Sequence, residues 1–409
     1  MNYQLSSTLL EQVKQYAHWY EGDCVQFLRD IIAIRSLSGQ EEEVIKRIRL
    51  EMEKVGFDET TIDPMGNILG RIGNGKHIVA MDAHVDTVDV GNPELWDIDP
   101  FRGALKEGIV YGRGACDMKG SMAALVYGGK IIKKLGLGND YTLYVTSTVQ
   151  EEDCDGLCWQ YIINEDKLVP EVVLIGEPTN LGVYHGQRGR IEIEVRTKGL
   201  SCHGSAPERG INAIYKMAPI VMDIERLNEH LTGEPFLGKG TITISEIRST
   251  SPSLCAVADS ATIHLDRRLV KDDTIEIAVR QIQELPSVRK AEAEVVVPEY
   301  AVESYTGVIY PTKKYYPAWL LDEQHPAVQS GVETYRSLFG ESPVVGRWAF
   351  STNGVATMGM YKIPTVGFGP GNEIYAHTPN EWIPVEHLVK AMMFYAVFPQ
   401  MYVEQVDDQ

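Results

Sequence analysis

The sequence predicts an α/β fold in which a large domain, built on a mostly parallel central sheet, carries an inserted α+β two-layer sandwich. Three observations predict it. Apolar runs of strand length alternate with helical patterns toward both ends of the chain, the ordering of a buried parallel sheet covered by helices. The middle of the chain switches to strict alternation of apolar and polar residues, which marks a sheet with one wet face. The length of 409 residues exceeds what one core usually serves, so two domains are expected. We place the large domain at 1–188 and 304–409 and the insertion at 189–303.

In chain order, Ser38-Gly39-Gln40-Glu41 has the form of a capping box. Val44, Ile45, Ile48, Met52 and Val55 follow at helical spacing until Gly56 closes the helix. A strand at 67–72 leads into the apolar run that starts at Ile78 and ends in His84 and Asp86. An extended backbone points these two side chains the same way. His84 could bind a metal through one ring nitrogen while Asp86 orients the ring through the other. Further strands read at 141–149, 171–175, 344–347 and 365–368, with helices at 121–135, 326–338 and 384–395. In the middle, Ile191, Ile193 and Val195 alternate with Glu192, Glu194 and Arg196. Strands at 241–247, 262–265 and 291–297 and helices at 213–227, with Pro219 inside, and 274–285 complete a β-α-β-β-α-β order.

Hydrophobic content of 44% and charged content of 23% are ordinary globular values. The net charge of −19, with no run of Lys and Arg, disfavours nucleic acid as a partner. Residues 1–10 lack the basic start and apolar core of a signal peptide and no later stretch approaches a membrane span, so a cytoplasmic location without membrane contact is expected. Six cysteines without a Cys-x-x-Cys pair read as reduced thiols.

The chemistry gathers beyond strand ends. Asp117 stands among glycines in Gly112-Arg113-Gly114-Ala115-Cys116-Asp117-Met118-Lys119-Gly120, just before a helix, and a carboxylate there can bridge two cations. Glu151-Glu152 follows the run ending at Val149. Adjacent carboxylates repel unless a cation lies between them or their roles differ. Glu177 follows Val172-Val173-Leu174-Ile175, and His377 follows Gly367-Phe368-Gly369-Pro370-Gly371-Asn372. The carboxyl edge of an open α/β sheet is where ligands bind.

With these motifs in hand, the chain resembles the M20 metallopeptidase family, the metal-dependent amidohydrolases and exopeptidases of the aminoacylase, acetylornithine deacetylase, succinyl-diaminopimelate desuccinylase and carboxypeptidase G group. Within it the chain looks most like the selenium-metabolism-linked hydrolases. The resemblance runs from about Cys24 to Phe398 and rests on Met81-Asp82-Ala83-His84-Val85-Asp86-Thr87, Gly112-Arg113-Gly114 with Asp117-Met118-Lys119-Gly120, Glu151-Glu152, Gly176-Glu177-Pro178-Thr179 and His377. It implies two divalent metal ions, zinc with cobalt or manganese as alternatives. One would be held by His84, Asp117 and Glu177, the other by Asp117, Glu152 and His377. Glu151 would be the general base, and the Asp117-Met118 peptide bond is expected to be cis. The resemblance further implies that His203, in Gly199-Leu200-Ser201-Cys202-His203-Gly204-Ser205, reaches the partner subunit's site and stabilises an oxyanion, so that the inserted domain serves as lid and dimerisation unit of a homodimer. Arg268 matches an arginine that grips a substrate carboxylate, and Arg267 beside it points the other way in a strand.

Two stretches depart from the family pattern, Ser253-Leu254-Cys255-Ala256-Val257-Ala258 and Ser351-Thr352-Asn353-Gly354. Both fall where substrate is held or the site is lined, so Asn353 joins Arg268 as a substrate-binding candidate, and Gly369, in the glycine-rich run ahead of His377, is a third. The expected function is hydrolysis of an amide bond in a small N-acyl or N-carbamoyl amino acid or short peptide. The alternatives are deamination or ring opening of a purine-derived compound on the same metals, and a metal-binding protein of this fold without catalysis.

Overall fold

The computed structural model describes residues 5–407. Residues 1–4, part of the stretch read for a signal peptide, and 408–409 lie outside the description. The large core is built on a nine-stranded sheet. Its centre is four mutually parallel strands in the order Tyr141–Thr148, His77–His84, Val172–Ile175 and Thr365–Gly367. Their register is tight: Met81 lies between Val145 and Leu174, and Leu174 faces Val366. Nearly every residue of these strands is buried. That is why they read as apolar runs and not as alternations. Strands Glu59–Ile62 and Ile68–Ile72 extend one side antiparallel, while Val183–Gln187 and Trp319–Leu320 extend the other.

Helix Lys119–Leu135 packs on the long C-terminal helix Val385–Asp407, which also meets Pro326–Phe339. The C-terminal helix runs well past the expected end at 395, through Pro399. All of its length from Leu388 to Val403 is largely buried, so packing outweighs the hydrogen bond that proline removes.

The second sheet is antiparallel, in the order Thr241–Thr250, Ser260–Leu269, Gly189–Lys198 and Glu294–Val296. Tyr315–Tyr316 pairs with the start of Gly189–Lys198, beyond residue 303. Every second residue of the two central strands is buried against helices Ala213–His230 and Ile275–Gln283, the amphipathic pattern visible in the sequence. The helix expected at 274–285 stops earlier, and a second short helix starts at Pro286, where proline suits a first helical position.

The chain passes between the two sheets twice, at Arg188–Gly189 and at Pro317–Ala318, and the passes lie against each other. A Cβ on Gly189 would stand 2.4 Å from both the Tyr316 carbonyl oxygen and the Ala318 nitrogen. A hairpin, Gly233–Glu234 with Gly238–Lys239, reaches from the small sheet to the large one, where the Phe236 ring meets His185 at 4.7 Å and Arg347 donates to the Phe236 carbonyl.

The capping box is not formed. Helix Glu42–Val55 begins without a side-chain cap. Ser38 Oγ instead donates to Asp86 at 2.7 Å, and the buried Glu41 accepts from the Gly39 and Gln150 backbone nitrogens. Gly56 closes the helix as expected, in the left-handed conformation at φ 94°.

Candidate metal centre

The four parallel strands end along one edge, and the polar residues that follow them converge there. His84 is the last residue of its strand. Glu151 and Glu152 come three and four residues after Thr148, and Glu177 two after Ile175. His377 lies in the loop after Thr365–Gly367. Asp117 arrives from the side, on the loop ahead of helix Lys119–Leu135, with a cis peptide bond to Met118.

Asp117 faces both histidines. Its Oδ1 lies 3.0 Å from His84 Nε2 and its Oδ2 3.3 Å from His377 Nε2. Glu177 completes one group at 3.4 Å from His84, and Glu152 the other at 3.0 Å from His377. A grouping by ligand-atom spacing alone sets His84 with Glu151 and Glu177, and with Asp117 and Glu152. The direct contacts separate the two acidic neighbours: Glu152 meets His377, whereas Glu151 stands 3.9 Å from His84.

Two tests bear on whether these residues fit cations. Two imidazoles and three carboxylates, one of them facing both groups, are a donor set for two divalent ions. Glu151 Oε1 and Glu177 Oε2 are buried without any hydrogen-bond partner, which a buried carboxylate rarely tolerates unless something positive answers it. The residues fit. The electrostatics agree: burial, with surrounding acids adding to it, raises the Glu151 carboxyl well above its ordinary range, and burial and Asp117 push Glu177 up to about 8. Hydrogen bonds to Asp117 and Glu152 push His377 up to about 11. Burial opposes charge on His84, yet Glu151, Asp117 and its other acidic neighbours hold its pKa well above the usual value. Excess buried negative charge of this kind is relieved by metal ions.

Asp86 differs from its expected place. His84 Nδ1 lies 3.0 Å from the Asp86 backbone carbonyl and 3.6 Å from its carboxylate. The carboxylate instead accepts from the backbone nitrogens of Glu151 and Glu152, at 3.2 and 3.0 Å. The chain turns after His84, and the backbone takes the role assigned to the side chain. Asp86 thereby positions both acidic residues at once.

Glu381 went unnoticed in the sequence. Antiparallel pairing of Trp382 with Tyr111 sets it under the Gly112–Asp117 loop. Its Oε1 accepts from the Cys116 and Asp117 nitrogens at 2.8 and 2.9 Å, and its Oε2 from Arg113 Nη1 and Gly114 N at 2.7 and 3.1 Å. A fully buried carboxylate thus holds the loop that presents Asp117.

Beside the centre opens a cavity of about 320 Å³, lined by Asp117, Glu151, Glu152, Glu177 and His377, and by Arg190, Arg268, Asp155, Phe350, Ser351 and Glu373. Arg268 is there as expected, and Arg267 is buried on the opposite face. Arg190 pairs with Arg268 across the strands, a match that only the register reveals. Asn353 is not in the cavity. Its Nδ2 donates to Asp82 and Thr148, and its Oδ1 accepts from Gly156 N and lies by Cys158 Sγ. With its amide spent inside the core, it cannot hold a substrate. Gly369 is likewise a packing residue. A Cβ there would fall 2.2 Å from the Gly176 and Glu177 carbonyl oxygens, so it lets the loop lie against Glu177. His203 is exposed, hydrogen-bonded to Ser205, and does not line the cavity.

Residues 80–400 match the model of peptidase family M20/M25/M40. The chain is 54% identical over 391 residues, 96% of either chain, to the uncharacterized protein YgeY of Escherichia coli (strain K12). It is 24% identical over 397 residues, 89% of this chain and 93% of the relative, to a probable succinyl-diaminopimelate desuccinylase of Staphylococcus epidermidis. It shares its fold with the Bacillus subtilis YXEP protein, a dinuclear metal binding peptidase from the M20 family, at a TM-score of 0.69 and 13% identity, over 95% of this chain and 99% of that one.

Proposed function

The chain belongs to peptidase family M20/M25/M40 and is a metal-dependent hydrolase of amide bonds, and on that premise we propose that it cleaves a small N-acyl or N-carbamoyl amino acid or a short peptide. The observation that carries this reading is Glu151. It is buried beside the two ligand groups in the lining of a small cavity, with one oxygen unpartnered among the described residues, where a binding protein would have no use for a proton carrier.

Two divalent cations, for which we propose zinc with cobalt or manganese able to substitute, would be held by His84, Asp117 and Glu177 and by Asp117, Glu152 and His377. When bound they supply Lewis-acid charge and make a nearby water more acidic. Glu151 takes the proton of the attacking water and returns it to the leaving amine. Asp86 holds Glu151 in place through its backbone nitrogen. Arg268, whose Nε and Nη2 meet Asp266, offers its remaining Nη1 to a substrate carboxylate. His203, exposed and outside the lining of its own chain's cavity, is proposed to serve the oxyanion of a partner subunit in a homodimer formed through the small sheet and its helices.

The test is product release from N-acyl amino acids, N-carbamoyl amino acids and dipeptides by zinc-, cobalt- and manganese-loaded protein, with Glu151→Ala as the blank. Amine appearing only with the intact enzyme supports the reading and narrows the substrate class. Ammonia released without a new amine would replace it with deamination. No product from any compound, with two metals bound, would rule out these substrate classes.

A further inference from the structure

The cavity beside the metal centre holds one carboxylate that no side chain pairs directly among the described residues. Asp117, Glu151, Glu152 and Glu177 surround the ligand groups, and two dications match four carboxylates. Asp155 is taken by Arg190 at 3.3 Å and by the Ser351 hydroxyl at 2.6 Å. Arg268 is paired through two nitrogens with Asp266, at 2.9 and 3.0 Å. Glu373 is left. It lines the same cavity, its Oε2 is buried without a hydrogen-bond partner, and it forms no ion pair among the described residues. Among the described residues Arg347 is the one cation whose field reaches it. That guanidinium donates to the Phe236 carbonyl instead.

Glu373 is held in place. It opens the short turn Glu373–Tyr375, whose start is capped by the Asn372 side chain accepting from Ile374 N at 3.1 Å. The Tyr375 ring packs on Trp382 at 4.4 Å. A carboxylate fixed partly out of water carries a desolvation cost that a positive group offsets. With Arg190 and Arg268 already paired and Arg347 acting only through its field, a positive group on the substrate would offset that cost directly.

We infer that Glu373 anchors a cationic nitrogen of the substrate, an ammonium or guanidinium, so that this enzyme selects amide substrates that bear a positive charge. The inference rests on the two-cation hydrolase reading. Arg268 keeps Nη1 outside its pairing with Asp266, so with Glu373 it describes a substrate carrying both charges: an acylated amino acid with a basic side chain, or a peptide with a free amino terminus. Charge-assisted hydrogen bonds of this kind are directional as well as strong.

Two matched pairs separate the sources, assayed with the metal-loaded full chain. N-acetyl-lysine against N-acetyl-norleucine reads a side-chain cation, and Ala-Ala against N-acetyl-Ala-Ala reads a terminal one. In at least one pair the cationic member is expected to have kcat/KM higher by about 10-fold, the range of a hydrogen bond to a charged group. In Glu373→Gln, which keeps the shape and removes the charge, that ratio is expected to fall near one, mostly through KM. Glu373→Lys is expected to invert it. Equal rates within both pairs, or a preference that survives in Glu373→Gln, would overturn the inference. If neither pair is turned over, calorimetric binding of the same four compounds to metal-loaded Glu151→Ala protein decides. Tighter binding of a cationic member that depends on Glu373 keeps the anchor while the substrate class is redrawn, and equal binding removes it.

Discussion

Glu151 and Glu152 are chemically identical neighbours, and what separates them is contact: Glu152 meets His377 at 3.0 Å, while Glu151 keeps a buried oxygen free. Glu151→Ala should therefore abolish turnover with metal content near that of the parent, whereas Asp117→Ala should lose both metals. Metal analysis of the purified variants checks this, and the opposite pattern would refute the assignment. A second acidic pair lies elsewhere, where Asp166, one oxygen buried without a hydrogen-bond partner among the described residues, stands near Asp63. Burial and Asp63 push Asp166 up to about 7, and burial raises Asp63 as well. The folded state then holds more protons than the unfolded chain from pH ~4 upward to about 7. Stability supplied by this pair is full below that window and declines across it as pH rises. Asp166→Asn provides a permanent donor, so its urea midpoint should decline less than the parent's between pH 5 and pH 8. An equal decline would mean the pair is not the source. At this scale His84, Asp117, Glu152, Glu177 and His377 were legible because each follows a strand end or a glycine-rich turn. Glu381 was not, since it meets Asp117 across 264 residues of sequence.

The elements explain why the ligands meet. Four parallel strands bring their carboxyl ends to one edge, and each connecting loop delivers one or two donors. Hydrophobic runs revealed those strands because both faces are covered. Loop contacts were less legible. The Ser38-Gly39-Gln40-Glu41 pattern satisfied the capping rule, yet both polar side chains are drawn to the buried backbone and carboxylate of the site, where an unmet hydrogen bond costs more than a helix cap contributes. Gly369 shows how closely two loops must approach. In Gly369→Ala the new methyl would collide with the Gly176 and Glu177 carbonyl oxygens, so a stability loss of about 1 to 3 kcal/mol is expected. Displaced Glu177 should also weaken metal affinity. Calorimetric titration of zinc against the metal-free variant reads this, and parent-like affinity would show that the loop relaxes without moving its ligand.

For the whole molecule, the two cores face each other across the cavity, with Arg190 and Arg268 on one side and the candidate metal ligands on the other. The paired crossings at Gly189 and Pro317–Ala318 would let the small sheet close over the site, so X-ray scattering should show a more compact particle with a transition-state mimic bound. Identical profiles would argue against closure. If His203 acts across subunits, His203→Ala should slow turnover by roughly 10²- to 10³-fold without metal loss. Mixing it with Glu151→Ala in exchanging dimers should then restore part of the activity, and no recovery would undo the shared site. The amino-acid sequence by itself determined the fold class, the four buried parallel strands and the helices at 121–135 and 326–338, and the residue types that gather at strand ends, because periodicity and burial are local consequences of side-chain polarity. It left unread the helices Ser7–Trp19, Glu21–Ile32 and Leu157–Asn164 and the strand Val183–Gln187. Only the tertiary structure decided that Asp86 and Glu381 position the acidic ligands, that Asn353 and Gly369 belong to packing, and that Glu373 faces the cavity unpaired. Those outcomes depend on register and loop approach between segments far apart in the chain, which no local pattern encodes.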